Sequence, residues 1–173
     1  MDRWAGGCQC GAVRYTFTIR PDNACLCHCR MCQEQVGGPF AAWAGSHRDN
    51  FQLTRGTLAH FQSSADALRG VCRDCGTPLT YEALPRPRIE VSIGSLARHA
   101  ELRPEHNVGT EAMEHWLTGI ATLPSTRTGE GDHGVGDTVE RFDLIRQSNL
   151  QHPDHDTEVW PPNRLKAGLQ PDS

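Results

Sequence analysis

Apolar and polar residues alternate over several short stretches in the first half of the chain, and turn-forming residues separate these stretches. Alternation with a period of two, together with β-branched and aromatic side chains, is typical of strands that bury one face. The pattern predicts strands at residues 12–18, 40–44, 51–54, 57–61, 79–81 and 89–93. A turn at Arg55-Gly56 is expected to join the third and fourth strands as a hairpin. The expected fold class is mainly β, an antiparallel β-sheet domain with short helices.

Helical signals are short and few. One helix is predicted to begin near Cys29 and to stop at Gly37-Gly38-Pro39, and residues 111–117 are a second candidate. From residue 124 the chain becomes rich in Gly, Ser, Thr and charged residues. This change predicts one folded domain over residues 1–123, a mobile loop over 124–137, a docked short element over 138–146 and a polar, extended or disordered tail over 147–173.

Composition and charge narrow the class of protein. A chain of 173 residues that is 37% hydrophobic suits one domain with a core. No apolar run approaches the ~20 residues of a membrane span, and the N-terminus has no apolar stretch of a signal peptide. The formal net charge of -4 disfavours nucleic acid as a partner, because phosphate binding needs a basic face. We therefore expect a cytoplasmic protein without a membrane or nucleic-acid partner, and the oligomeric state stays open.

The eight cysteines are grouped rather than scattered. All of them fall between residues 8 and 75, as C-x-C, C-x-C-x-C-x-x-C and C-x-x-C. Disulfide frameworks usually distribute their half-cystines over a small secreted chain. The grouping therefore predicts metal sites.

The densest group is Cys27-His28-Cys29-Arg30-Met31-Cys32. Its spacing lets the three thiolates of Cys27, Cys29 and Cys32 converge on one thiophilic ion, and three thiolates leave the fourth tetrahedral position of zinc open. An alternative is a closed site, in which Cys25 supplies a fourth thiolate through its C-x-C spacing from Cys27. His28 lies between two candidate ligands, so its side chain is expected to point away from the metal.

A second set consists of two pairs far apart in sequence, Cys8 with Cys10 and Cys72 with Cys75. Glycines lie beside both pairs and permit the tight turns through which two sulfurs of a pair reach one ion. Two such pairs make a closed four-thiolate site that ties distant parts of a sheet together.

Three stretches taken together resemble a known family: Gly7-Cys8-Gln9-Cys10-Gly11-Ala12-Val13-Arg14-Tyr15, then Cys27-His28-Cys29-Arg30-Met31-Cys32, then Arg69-Gly70-Val71-Cys72-Arg73-Asp74-Cys75-Gly76-Thr77. Over about residues 6–118 the chain is similar to the glutathione-dependent formaldehyde-activating enzymes (the GFA family). That family also includes centromere protein V and has a zinc-bearing, Mss4-like β fold. Gly94-Ser95-Leu96, Pro104-Glu105-His106 and Trp116 resemble its later landmarks.

The resemblance implies two zinc ions and a carbon-sulfur lyase. The implied ligands are Cys8, Cys10, Cys72 and Cys75 for a structural zinc and Cys27, Cys29 and Cys32 for a catalytic zinc. The implied reaction joins glutathione and formaldehyde as S-hydroxymethylglutathione, so the partners are a small thiol and an aldehyde. Ala97-Arg98-His99 replaces the family's acidic run after Gly-Ser-Leu, which leaves a different thiol or aldehyde open.

The chemistry of an open three-thiolate zinc suits a thiol substrate. Such a centre pulls weakly on water because its net charge is already negative, whereas it favours a soft thiol, which loses its proton on coordination. Substrate carboxylates would need cations, and the arginines beside the ligands are candidates: Arg30, Arg69 and Arg73. His106 and Trp43 are candidates for lining the site.

Two functions of other classes use the same cysteines. A non-catalytic zinc-binding interaction module, like the centromere protein V branch, is expected to carry a basic extension, whereas this chain is acidic overall. A thiol-based redox or zinc sensor would release its metal when the clustered thiolates are oxidised.

Overall fold

The computed structural model describes residues 3–127 and 138–159, and it has two β-sheets. The smaller sheet has the strand order β1-β2-β5, and the larger has the order β10-β3-β4-β9-β8-β7-β6. The strands are β1 Trp4–Gly7, β2 Arg14–Phe17, β3 Asp22–Cys27, β4 Ala41–His47, β5 Phe51–Arg55, β6 Ala59–Ser64, β7 Ala67–Val71, β8 Pro78–Ala83, β9 Arg88–Ser92 and β10 His106–Val108. The strand pairs are antiparallel except β10 with β3. The mainly β fold class is thereby confirmed.

The helices are short, as the sequence indicated. The α-helix α1 spans Arg30–Val36, close to its predicted position, and α2 spans Val139–Ser148. Residues 111–117, predicted as a helical candidate, form no α-helix: they fall in two 3-10 segments separated by Met113 and Glu114. Among these seven residues only Leu117 is buried, so little apolar contact favours an α-helix here. The 3-10 segments are Arg48–Asn50, Ile93–Ser95, His99–Glu101, Thr110–Ala112 and His115–Thr122.

The main core lies between the two sheets. Tyr15 and Phe51 stack with their ring centroids 5.3 Å apart, and the buried Tyr15 hydroxyl hydrogen-bonds the Ser95 hydroxyl at 2.6 Å. Ile89 and Val91 of β9 belong to this core, and both are fully buried. Since successive strand residues point to opposite faces, Glu90 points to the other face of the large sheet. That outer face carries the site described below.

The predicted hairpin around Arg55-Gly56 is wrong. Strand β5 pairs with β2 in the small sheet, whereas the strand after the turn, β6, pairs with β7 in the large sheet. Gly56 has a φ of 65°, and a Cβ there would lie 2.2 Å from the Ala12 carbonyl oxygen. The chain crosses between the sheets at this close approach, and Arg55 Nη1 donates to the Gly11 carbonyl at 3.2 Å.

The C-terminal part of the described chain contacts the body through a segment after α2. None of the ten residues of α2 is buried. By contrast, His152 is buried, its backbone N–H donates to the Gln9 carbonyl at 2.7 Å, and Asp156 pairs with the buried Arg14 at 2.9 Å. Residues 128–137 of the predicted loop and 160–173 of the predicted tail lie outside the described residues, and the domain boundaries stay predictions.

His152→Ala is expected to lower the free energy of unfolding by about 1 kcal/mol or more, because it removes a buried ring that bonds Thr157 Oγ1 at 3.0 Å. Burial lowers the pKa of His152, as do the nearby arginines. The unfolded chain therefore takes up a proton first as pH falls through about 6.5, so this stabilisation is present above that pH and is lost below it. Denaturant unfolding between pH 7.5 and 5.5 measures the effect. The same substitution at the exposed His155 is the control, and equal losses in both variants would contradict the assignment.

Within residues 3–127 and 138–159, no helix combines the length and the apolar character needed to cross a bilayer.

Candidate functional site

Two tight turns bring the first cysteine cluster together. Cys8 and Cys10 lie in the turn after β1, where Gly11 has a φ of 75° and its N–H donates to the Cys8 carbonyl at 3.1 Å. Cys72 and Cys75 lie in the turn after β7, which the Gly76 N–H closes onto the Cys72 carbonyl at 2.9 Å. The four Sγ atoms all lie within 4.8 Å of one another. The structure thus brings together two pairs more than 60 positions apart in the sequence.

Local hydrogen bonds favour thiolates in this four-cysteine cluster. The Val13 N–H donates to Cys8 Sγ at 3.2 Å, and the Thr77 hydroxyl lies 3.1 Å from Cys75 Sγ. Burial opposes ionisation of Cys75, but its hydrogen bonds with Thr77 prevail and lower its pKa to about 6. Burial raises the pKa of Cys72. One thiol of the cluster is therefore ready to bind a cation at neutral pH, while its buried neighbour needs the cation in order to ionise.

The second cluster lies where β3 runs into α1. Cys27 is the last residue of β3, Cys29 caps α1, and Cys32 lies in the first turn of α1. Their three Sγ atoms lie within 4.8 Å of one another, with 3.5 Å between those of Cys27 and Cys29. Cys32 is buried, whereas Cys27 and Cys29 are half-buried. This three-cysteine cluster therefore keeps an accessible side.

A buried arginine offsets negative charge at the three-cysteine cluster. Arg69 Nη2 lies 3.5 Å from Cys32 Sγ, and only 2% of the Arg69 surface is exposed. A hydrogen bond from Cys27 lowers the pKa of Cys32 to about 5, with further lowering by Arg69 and opposition from burial. The same bond raises the pKa of Cys27, which keeps its proton. The hydrogen bond and the Arg69 guanidinium therefore both favour the thiolate form of Cys32.

Neighbouring residues fix the loop that carries these thiols. The backbone N–H of His28 donates to the Val108 carbonyl at 2.9 Å, and its ring Nε2 lies 3.0 Å from Asn107 Oδ1. The buried Gln33 side chain donates to the His28 carbonyl at 2.7 Å and to the Ala112 carbonyl at 2.9 Å. His28 is outside the sulfur cluster, as expected for a residue between two ligands, and it holds the loop against β10.

Cys25 does not join the three-cysteine cluster within the described residues. It lies on β3 opposite Trp43, two residues before Cys27, and is buried. In a flat strand, residues i and i+2 lie about 6.6 Å apart. Their sulfurs therefore stay separated, whereas in a tight turn the sulfurs of such a pair can converge on one ion. Burial raises the pKa of Cys25 to about 11. The alternative with Cys25 as a fourth ligand therefore lacks the geometry that it needs.

A cavity of about 240 Å³ opens beside the three-cysteine cluster on the outer face of the large sheet. Cys27, Cys29 and Cys32 line it, and so do Trp43 and His106, both predicted from the sequence as candidates for lining the site. Among the candidate arginines, Arg69 lines the cavity. Arg30 is exposed and pairs with Glu34, and Arg73 is exposed. Tyr81 and Glu90 also line the cavity, and no sequence pattern singled them out as site residues.

Both clusters fit zinc by their donor chemistry. Tetrahedral zinc with Zn–S bonds of about 2.3 Å places its sulfur ligands about 3.8 Å apart. The Sγ atoms of Cys8 and Cys10 lie 3.5 Å apart, and those of Cys10 and Cys72 lie 3.8 Å apart. Four sulfurs make a closed site, whereas three sulfurs beside a cavity leave one position for a ligand.

A comparison with known proteins identifies the family to which this chain belongs. The model of the family described as "Glutathione-dependent formaldehyde-activating enzyme" matches residues 3–112, a span that holds all eight cysteines and most of the chain. The chain belongs to this family. A similar solved structure is the crystal structure of a Rhodobacter sphaeroides protein, at 24% sequence identity and a TM-score of 0.48. That match covers 60% of this chain and 97% of the other.

The GFA match accounts for the sheets and both cysteine clusters. It ends at residue 112, so α2 and the segment around His152 lie beyond it. The two-sheet architecture is compatible with the Mss4-like fold that the sequence resemblance implied. Arg98, in the segment that departs from the family pattern, lies over the Trp4 ring at 4.2 Å and pairs with Glu101. This arginine therefore packs away from the residues that line the cavity.

Arg69→Met is expected to weaken metal binding at the three-cysteine cluster by about tenfold, because it removes a buried cation in contact with Cys32 Sγ. Competition with a chromophoric chelator measures the affinity of the weaker of two zinc ions. Arg73→Met is the matched control, since Arg73 is exposed in the four-cysteine turn. Equal weakening in both variants, or none in Arg69→Met, would contradict the role given to Arg69.

Proposed function

We propose that this GFA-family chain is a zinc-dependent carbon-sulfur lyase that acts on a thiol adduct. The reaction is the condensation of glutathione with formaldehyde to S-hydroxymethylglutathione, or that of a related thiol and aldehyde. The thiol sulfur forms a bond to the carbonyl carbon, the carbonyl π bond breaks, and the thiol proton ends on the oxygen. The observation that carries the proposal is the cluster of three sulfurs on the wall of a cavity; Cys25 also lines that cavity but lies outside the sulfur cluster.

In this proposal Cys27, Cys29 and Cys32 hold the catalytic zinc, and Cys8, Cys10, Cys72 and Cys75 hold the structural zinc. Zinc in a thiolate site supplies a soft Lewis acid that favours the thiolate form of an incoming thiol. The protein contributes the surroundings. Arg69 offsets the negative charge of the cysteines, and Trp43 and Tyr81, with ring centroids 6.1 Å apart, line the cavity with aromatic surface.

The thiol chemistry also favours a reducing compartment. The described residues contain all eight cysteines as free thiols, and seven of them are assigned here to metal binding. Oxidation would remove the thiolates that bind the metals. We therefore propose that the protein works in the cytoplasm, on small molecules rather than on nucleic acid or a membrane.

The test uses purified protein loaded with two zinc ions. Exchange NMR measures the rate of adduct formation and breakdown with glutathione and formaldehyde, and calorimetry measures thiol binding. We expect saturable thiol binding and a faster exchange than in buffer, in wild type and in Cys25→Ser. Protein that neither binds any low-molecular-weight thiol nor alters the rate would overturn the proposal.

A further inference from the structure

The cavity beside the three-cysteine cluster carries few charged side chains. Apart from the cysteines and the Tyr81 hydroxyl, the ionisable groups of its lining are the guanidinium of Arg69, the carboxylate of Glu90 and the imidazole of His106. Trp43 and Tyr81 form much of its apolar surface. At about 240 Å³ the cavity is at or below the small end of the range for small-molecule sites, so it suits a ligand of few heavy atoms.

Each of the three guanidinium nitrogens of Arg69 contacts the protein. Its Nε donates to Ser63 Oγ at 2.9 Å, Nη1 donates to Gln35 Oε1, and Nη2 lies 3.5 Å from Cys32 Sγ. Its plane also lies over the Tyr81 ring, 5.0 Å from the centroid. These contacts use three of the five guanidinium N–H groups and leave one on Nη1 and one on Nη2, in a side chain that is only 2% exposed to an incoming carboxylate. Arg69 therefore serves the cysteines rather than an anionic substrate.

Glu90 is the carboxylate that lines the cavity, and its negative charge is only weakly compensated by a neighbouring cation. Its side chain is 21% exposed, and it lies on β9 between Tyr81 and Gly45 of the neighbouring strands. The nearest cation is Arg88, whose Nε is 3.9 Å from Glu90 Oε1 and whose Nη2 binds Asp22 instead. Burial raises the pKa of Glu90, and Arg88 opposes that rise. A second cation close to such a half-buried carboxylate would stabilise its ionised form.

We infer that Glu90 selects the thiol partner, by accepting the ammonium group of a small aminothiol whose sulfur reaches the three-cysteine cluster. The inference rests on the proposed function and narrows its substrate class. A compact thiol with an ammonium group matches the carboxylate of Glu90, which has its cationic partner, Arg88, 3.9 Å away. A thiol that places a carboxylate there would meet Glu90 and find Arg69 already engaged.

The experiment is calorimetric titration of the zinc-loaded protein with two probes, cysteamine and its neutral analogue N-acetylcysteamine. The ratio of the two affinities is measured for each protein variant, so differences in intrinsic thiol acidity cancel between variants. We expect the preference for cysteamine to fall by about tenfold in Glu90→Gln, the loss of one partly buried ion pair. Glu82→Gln is the matched control, since Glu82 is a half-buried glutamate on β8 that pairs with Arg48 and lies outside the cavity lining.

An unchanged ratio in Glu90→Gln, or an equal fall in Glu82→Gln, would overturn the inference while leaving thiol binding intact. Tighter binding of 3-mercaptopropionate than of cysteamine by wild type would overturn it as well. If wild type binds glutathione but none of these three thiols, the inference fails and the proposed function stands. If it binds no thiol at all, glutathione included, and leaves the exchange rate unaltered, both fail. Binding of N-acetylcysteamine to Glu90→Gln with wild-type affinity shows that this variant is folded.

Discussion

Cys72→Ser is expected to yield protein that is unfolded or insoluble. Cys72 is 1% exposed and belongs to the main core together with Cys8. The proposed structural zinc joins the turn after β1 to the turn after β7, so its binding free energy contributes directly to folding. Structural zinc sites contribute about 10–16 kcal/mol in small zinc peptides, and whole domains have a net stability of about 5–15 kcal/mol. Loss of one of the four thiolates is thus expected to remove a large share of the free energy of unfolding of the domain.

Soluble yield, far-UV circular dichroism and zinc per chain measure this effect. Cys25→Ser is the matched control, because Cys25 is also buried but lies outside both clusters. The control is expected to stay folded with two zinc ions. A folded Cys72→Ser protein that retained both ions would contradict the structural role of the four-cysteine cluster.

Cys29→Ser is expected to have the opposite profile, a folded protein that lacks one zinc ion. Cys29 is half-buried and belongs to the small cluster on the outer face of the sheet, away from the main core. The loop around it stays fixed by bonds that do not involve its sulfur, including those of His28 with Val108 and Asn107. Two remaining thiolates bind zinc poorly, so thiol binding is expected to fall at least about a hundredfold.

Thermal unfolding, metal analysis and thiol titration separate these outcomes. We expect a melting temperature within a few degrees of that of wild type, about one zinc ion per chain and no saturable thiol binding. Equal loss of folding in Cys29→Ser and Cys72→Ser would contradict the division into structural and catalytic sites. Wild-type thiol affinity in Cys29→Ser would show that thiols do not bind at the three-cysteine cluster.

The sequence predicted the parts of the fold that short-range patterns determine. Alternation located strands such as Arg14–Phe17 and Arg88–Ser92, and cysteine spacing grouped the seven candidate ligands as the structure does. It mispredicted the hairpin at Gly56, because a left-handed glycine after a strand is equally compatible with a hairpin and with a crossing between sheets. Only the contact with Ala12, 44 positions away, distinguishes them.

The remaining site residues depend on long-range pairing. Arg69, Tyr81 and Glu90 come from three strands, and the register that places them side by side is visible only in the folded sheet. The alternation in β9, with Ile89 and Val91 buried, does place Glu90 on the opposite face, but not beside a cavity. His152 lies in a stretch of polar composition, and its burial comes from contacts with Gln9 and Thr157.

The most direct test of an open metal site is thiol titration of the protein with cobalt(II) in place of zinc. Sulfur-to-cobalt charge-transfer absorption increases with each thiolate bound to the metal. The account predicts two cobalt ions per chain and a saturable increase with cysteamine or glutathione, present in Cys25→Ser and absent in Cys29→Ser. Two bound cobalt ions with no response to either thiol would contradict the open site, and would favour a structural zinc module instead.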